Sequence, residues 1–311
     1  MEDDLPDWVT FTVGEGSLPE RADRLLTEHF PAYSRSQWQK ALKGGRVCLD
    51  GKVLTKSAVI GPGQTVQVVL PEPEATSLTP CPMPIEVLFE DEHLLVINKV
   101  PGIVVHPGSG TGHDTLCHGL LHYTQGQLSF AAGGLRPGVV HRLDKETSGA
   151  ILFAKTDRLY HAMVKQFAAR VVKKEYLAVI CGVPELLSGT IDFAIERHPT
   201  VRVKMQVGHQ GRPAHTDWAI EEKLGRNYAL VRCWLHTGRT HQIRVHLSAI
   251  GHPLVGDRTY GFNPQQHSLV QAERVMLHAH RLAFDHPVTG ELLAVEAPLP
   301  VDMSACIARL K

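Results

Sequence analysis

Between residues 70 and 84 the chain reads LPEPEATSLTPCPMP, and its prolines at 71, 73, 80, 82 and 84 restrict what can be built there more than any other stretch does. Each proline fixes φ and removes a backbone N–H, so neither a helix interior nor a central strand runs through the segment. It is expected to be a linker over residues 71–84 that divides the chain into a short N-terminal and a long C-terminal part. The 311 residues, 43% of them hydrophobic, suffice for one large core and one small one.

In the short part, RADRLLTEHF and SRSQWQKALKGG have helical apolar spacing, the second with Ser34 or Ser36 as a cap and glycines at its end. RVCLDGKVL then sets Asp50-Gly51 between two β-prone runs, and TVQVVL adds a strand. Between Arg35 and Lys56 the module carries Arg35, Lys40, Lys43, Arg46, Lys52 and Lys56 against the single acid Asp50, a density able to neutralise phosphates or simply to solvate a helix face. The order of elements and the stretch SRSQWQKALKGGRVCLDGKVL resemble the small RNA-binding domain named after ribosomal protein S4, with Asp50 where that family often has Asn. The resemblance implies an S4-like domain over 18–70, after an N-terminal extension at 1–17, with Arg35, Lys40, Lys43, Arg46 and Lys52 as RNA-binding residues.

After the linker, β-prone runs dominate: IEVLFE, LLVINK, AILFAK, YLAVICG, GTIDFAI, HTDWAI, YALVRCWL and LLAVEAP. Helical patterns interrupt them only at DTLCHGLLHYT, TDRLYHAMVKQFAAR and THQIRVHLSAI. Strands that outnumber helices without alternating with them predict an α+β fold, a largely antiparallel mixed sheet with flanking helices over 85–311.

Within this part, GVVHRLDKETSGAILFAK places Asp144 between Arg142 and Lys145, just ahead of an apolar strand. Neighbouring positive charge would keep the carboxylate ionised, and a loop braced by a strand is a common seat for catalytic groups. The same charges also suit a structural salt bridge. HRLDKETSG resembles the signature of the RluA-type pseudouridine synthases, which isomerise uridine in ribosomal and transfer RNA. Further blocks agree in order: NKVPGIVVHPGSGTGHDTL, KKEYLAVICG, LHTGRTHQIRVHLSAIGHPLVGDRTYG, and finally MLHAHRLAFDHPVTGE with APLP. Val100-Pro101 departs slightly from the first block's usual pattern.

The resemblance implies that Asp144 is the catalytic aspartate, that Arg142 helps displace the target base, that Tyr176 stacks on the flipped uracil or takes its C5 proton, and that Arg244 pairs with Asp144. Without it, Tyr176 in an apolar strand would read as core and Arg244 on an amphipathic helix as surface. Arg239 and His241 are RNA-binding candidates from the third block, where His236, His241 and His246 are expected to face phosphates or make hydrogen bonds. Breaking the C1′–N1 bond, turning the uracil and joining C5 to C1′ needs a carboxylate and no cofactor. That carboxylate could add to C1′, add to C6, or take the 2′ proton.

His118 and His122, with His113 and Cys117 nearby, have helical metal-ligand spacing but no accompanying HExxH glutamate, so no metal is assigned. A metal-dependent hydrolase would rest on histidine abundance alone. Thirty-two basic and thirty-two acidic side chains cancel, so any case for binding an acidic polymer rests on local patches. The six scattered cysteines without a CxxC pair, the acidic start and the lack of a spanning apolar run suggest a soluble, reduced, cytoplasmic protein. The expected partner is large-subunit ribosomal RNA or its precursor particle, bound by a monomer, with no membrane. Transfer RNA is the alternative substrate, and a non-catalytic RNA-binding or ribosome-assembly protein the alternative class.

Overall fold

The computed structural model describes residues 8–311 apart from 32, 34, 56, 72–76, 109–113, 202 and 268–271, and the side chain of residue 36 is also outside the described set. The expected cap at Ser34 or Ser36, the cation Lys56, His113 and the middle of the proline-rich stretch lie outside the described residues. Backbone contacts divide the chain into two units, Met1–Ala75 and Thr76–Lys311.

The small unit runs β1 (Trp8–Thr12), β2 (Glu20–Arg21), α1 (Ala22–His29), α2 (Arg35–Lys43), β3 (Val47–Leu49), β4 (Lys52–Val53), β5 (Val59–Ile60) and β6 (Thr65–Val69). Its main sheet has the order β1-β6-β3-β4, and β2 pairs with β5. The expected hairpin is present: Asp50 (φ 49°) and Gly51 (φ 73°) both take left-handed conformations, so the two-residue turn matches the twist of β3 and β4. The apolar faces of both helices meet this sheet through Leu26, Trp38, Leu42, Val47, Val66 and Val68. Each large side chain so buried contributes about 1.5–3 kcal/mol relative to exposure.

The proline-rich stretch is not a free tether throughout. Cys81 donates its N–H to the His118 carbonyl (3.1 Å), and a Cβ on Gly119 would meet Met83 at 2.8 Å. These contacts tie its second half to a helix of the large unit.

That unit contains β7 (Val87–Glu90), β8 (Leu94–Lys99), α3 (Leu116–Tyr123), β9 (Ser148–Ala154), α4 (Asp157–Ala169), β10 (Lys173–Cys181), β11 (Ser188–Ile191), β12 (Ile195–Arg197), β13 (Met205–Val207), β14 (Thr216–Leu224), β15 (Tyr228–Leu235), α5 (Gln242–Ala249), β16 (Leu277–Asp285), β17 (Leu292–Glu296) and α6 (Val301–Leu310). Nine strands form one sheet, ordered β11-β14-β15-β10-β16-β9-β8-β7, with β17 also on β16. Every pairing is antiparallel except a two-residue parallel seam between β9 and β16, where Ser148 and Gly149 meet His278 and Ala279. At that seam Gly149 has φ 111°, and a Cβ would lie 2.2 Å from the Ala279 carbonyl oxygen, so only glycine fits. The mixed, mostly antiparallel α+β architecture agrees with the expectation.

Both faces of the sheet are covered. Tyr176, Ala178 and Ile180 of β10 join a core with α3 and α5, while Leu177, Val179 and Cys181 join one with α6. Ala150, Leu152 and Ala154 of β9 pack with Leu159 and Met163, one turn apart on α4. Burial on two faces explains why YLAVICG and AILFAK read as continuous apolar runs. GTIDFAI, expected as one strand, is split: its first half is β11 in the main sheet and its end enters the β12–β13 hairpin.

Candidate active site

Asp144 sits in the loop preceding β9, and the backbone at 144–147 is pinned from two sides. Lys99, at the end of β8 and 1% exposed, donates from Nζ to the carbonyls of Val100 (3.0 Å), Lys145 (3.0 Å) and Thr147 (2.8 Å). Burial draws its pKa down to about 7, opposed by the Asp144 charge, and three carbonyl acceptors need the three N–H groups of an ammonium. Opposite, Arg274 donates Nη1 to the Glu146 carbonyl (3.1 Å) and Nη2 to Asp302 of α6 (2.9 Å).

The partners of Asp144 come from α5. Arg244 Nη1 lies 3.4 Å from Asp144 Oδ2, and His241 Nε2 lies 3.7 Å from the same oxygen. Neither sequence neighbour, Arg142 or Lys145, is within ion-pair distance among the described residues, so proximity along the chain misidentified the source of the charge. Arg244 is also fully engaged by Asp257, which accepts from Nε (2.6 Å) and Nη2 (2.9 Å) in a fork that fixes the guanidinium plane. Burial alone would lower the Arg244 pKa, but Asp257 and Asp144 raise it. Tyr260 stacks on the guanidinium (5.0 Å to the ring centre) and its hydroxyl meets His241 Nδ1 at 2.8 Å. His241 occupies the left-handed region (φ 57°) at the start of α5. Burial pulls its pKa down, so the ring is neutral near pH 7.

The facing wall is β10. Tyr176 and Lys174 are two residues apart and therefore share one side of the strand. Together with Asp144, Arg142, Arg170, Arg239, His241 and Arg244 they line a cleft of about 480 Å³, large enough for a nucleotide. Tyr176 is buried, and burial together with the Asp144 charge raises its pKa well above the ordinary phenol value. The hydroxyl consequently stays protonated at neutral pH.

The structure thus brings Asp144, Arg142, Tyr176, Arg244, Arg239 and His241 to one cleft. Arg239 donates Nε to the Pro213 carbonyl (3.0 Å). His246, expected to face phosphates or make hydrogen bonds, is fully buried and takes the hydrogen-bonding role, with Thr216 Oγ1 (3.0 Å) and the Phe193 carbonyl (2.9 Å) as partners. His118 serves the capping box of α3 with Thr115, its Nδ1 2.7 Å from Thr115 Oγ1. Among the described residues, His215, Asp217 and His236 bring possible metal-binding atoms within 4.8 Å of one another. Asp217 there already accepts from Thr190 (2.6 Å) and lies 2.7 Å from His236 Nε2.

In the small unit, Arg35 lies 2.8 Å from the buried Asp23, which Arg21 and Gln39 also contact. Burial pushes the Asp23 pKa up, but hydrogen bonds from Gln39, Arg21 and Arg35 outweigh it and hold it at about 2. Arg35 is therefore committed to the fold, whereas Lys40, Lys43, Arg46 and Lys52 are exposed with no acid partner among the described residues. Reading the sequence did not single out Asp257, Tyr260 or Lys99; the first two lie in GDRTYG, where only an acid and an aromatic just past a basic helix hint at a partner for it.

The RNA pseudouridylate synthase family profile matches residues 93–249 and the S4 domain profile residues 20–66. The chain belongs to the RNA pseudouridylate synthase family and carries an N-terminal S4 domain. It is 41% identical to the RNA pseudouridine synthase YlyB of Bacillus subtilis over 97% of this chain and 98% of that one. It is 40% identical to ribosomal large subunit pseudouridine synthase D of Escherichia coli over 95% of this chain and 92% of that one. Among solved structures, human RNA pseudouridylate synthase domain containing 1 superposes with a TM-score of 0.58 at 31% identity, covering 72% of this chain and 87% of that one. Among the described residues no helix is long and apolar enough to cross a membrane.

Proposed function

We propose that this RNA pseudouridine synthase converts specific uridines of large-subunit ribosomal RNA, acting in the cytoplasm as a monomer, with Asp144 as the carboxylate that acts on the flipped nucleotide. The observation that carries the reading is the Asp144 carboxylate at 3.4 Å from Arg244 in a cleft walled by Tyr176. The Asp257 fork fixes the guanidinium plane and thereby aims its remaining nitrogen at Asp144. Arg142, exposed at the rim, is placed to fill the gap left when a base turns out of its stack. Because its phenol stays protonated, Tyr176 is better suited to stacking on the uracil than to taking the C5 proton. Support for the ribosomal substrate comes from relatives named as large-subunit synthases and from the S4 domain.

Asp144→Asn preserves shape and removes the charge, so it should bind RNA and release no tritium from C5-labelled uridine RNA. Release near the parental rate would reject Asp144. Comparing pseudouridine maps of a deletion strain and its parent tests the substrate: a large-subunit position lost in the deletion supports it, and losses confined to transfer RNA overturn it.

A further inference from the structure

Arg170 and Lys174 both line the cleft, and neither has an acidic partner among the described residues. Lys174 is half-buried near the start of β10, and Arg170, in the left-handed conformation (φ 60°), closes the C-terminus of α4 beside it. Two cations that repel each other in a partly desolvated cleft cost free energy unless an anion joins them. The negative end of the α4 dipole compensates one of them by only about 0.3–1 kcal/mol. Arg244, in the same cleft, is by contrast held by two carboxylates.

We propose that Arg170 and Lys174 form a seat for a backbone phosphate of the RNA, next to the nucleotide held at Asp144; this rests on the reading of the cleft as the uridine site. Lys174 stands two residues from Tyr176, roughly 7 Å along the strand, a span that a sugar and its phosphate cover. Stacking the base on Tyr176 therefore carries a neighbouring phosphodiester toward the ammonium.

Around Lys174 the cations outnumber the single carboxylate of the cleft lining, Asp144. Arg170 faces it from the end of α4, and Arg142 and Asp144 come from the loop preceding β9, while Arg239, His241 and Arg244 form the opposite wall. His141, from that same loop, adds no charge: its Nε2 accepts from the Leu152 N–H (2.9 Å), its ring stacks on Phe167, and burial and Lys174 push its pKa down to about 3. Burial and Arg170 draw the Lys174 pKa down to about 8. A phosphate would raise it again, so RNA binding near pH 8.5 should take up protons.

The test uses the full chain and a fluorescent oligouridylate of about ten nucleotides, a length within the range that single-strand sites occupy. Lys174→Met is expected to weaken binding about tenfold and to flatten the slope of log affinity against log salt by about 0.7, the value for one single-strand phosphate contact. Arg170→Asn, a residue that tolerates the left-handed backbone, should act in the same direction. Proton uptake at pH 8.5, measured by titration calorimetry in buffers of different ionisation enthalpy, should vanish in Lys174→Met and in Lys174→Arg, while Lys174→Arg keeps most of the affinity. Native slope and native proton uptake in Lys174→Met overturn the seat. Tritium release by Asp144→Asn is read separately, so a failure of the seat and a failure of the Asp144 assignment are distinguishable.

Discussion

On the α5 wall of the cleft, the Arg244 guanidinium is shared between Asp257 and Asp144, whereas on the β10 wall Arg170 and Lys174 meet no acid among the described residues. The first arrangement is closed within the protein and fixes a geometry. The second is open and leaves positive potential for a ligand to meet. Breaking a closed pair strands a buried charge, while deleting an open cation relieves repulsion, so matched substitutions on the two walls should differ in sign for stability and in kind for activity.

The largest effect is expected for Arg244→Met. It leaves Asp257 buried and unpaired and Asp144 unaimed, so tritium release should fall by about three orders of magnitude and urea unfolding should report a loss of ~3–5 kcal/mol. Arg244→Lys keeps the charge without the planar fork and should retain part of both. A parental rate in Arg244→Met would shift attention to Arg239 as the partner. Asp257→Asn comes next: Arg244 stays but is no longer clamped, and a drop of about tenfold to a hundredfold in rate, with RNA affinity nearly unchanged, is the expected result. On the open wall, Lys174→Met should leave thermal stability equal or slightly higher, by up to about 1 kcal/mol. A clear destabilisation there would mean that Lys174 has an internal structural role, and the contrast between the walls would fail.

The small unit offers the same contrast on a smaller scale. Arg35 is closed on Asp23, whereas Lys40, Lys43, Arg46 and Lys52 are open. Since the folded Asp23 pKa, at about 2, lies below its ordinary value of 3.8, the pair stabilises above pH ~4 and that stabilisation is lost as pH falls toward 2. Asp23→Asn should remove this acid-sensitive component from the unfolding of the small unit. Lys40→Ala and Lys52→Ala should instead change RNA affinity and its salt slope, with stability shifts within about 0.5 kcal/mol.

The strands of the large unit were legible where burial on two faces makes a run continuous, as in YLAVICG and AILFAK. β16 was not, because LHAHRLAFD interrupts its apolar residues with His278, a buried ring 3.0 Å from Ser148 Oγ that reads as polar in sequence. α6 was passed over as well: its four buried residues, Met303, Cys306, Ile307 and Leu310, are spread among small and charged ones in a short tail. Asp144, Tyr176 and Arg244 came from a family resemblance, since residues 100 apart carry no local signal that they meet. The Asp257 fork was hidden for a related reason: its contact with Arg244 depends on how the chain turns after α5, and neither helical nor strand periodicity encodes that turn.

The parallel seam between β9 and β16 also sets the order in which the enzyme can come into being. Ser148 and its partner His278 are 130 residues apart, so the loop bearing Asp144 emerges in synthesis well before the strand that lies beside it. Of the two side chains that pin residues 144–147, Lys99 is available at once, whereas Arg274, itself held by Asp302 of α6, follows 128 residues after Glu146. A chain halted before β16 would therefore hold Asp144 on a half-finished sheet with its edge exposed. Activity should appear abruptly once β16 and α6 have left the ribosome, and deletions that remove only α6 should slow acquisition of the active state more than their small loss of buried surface suggests.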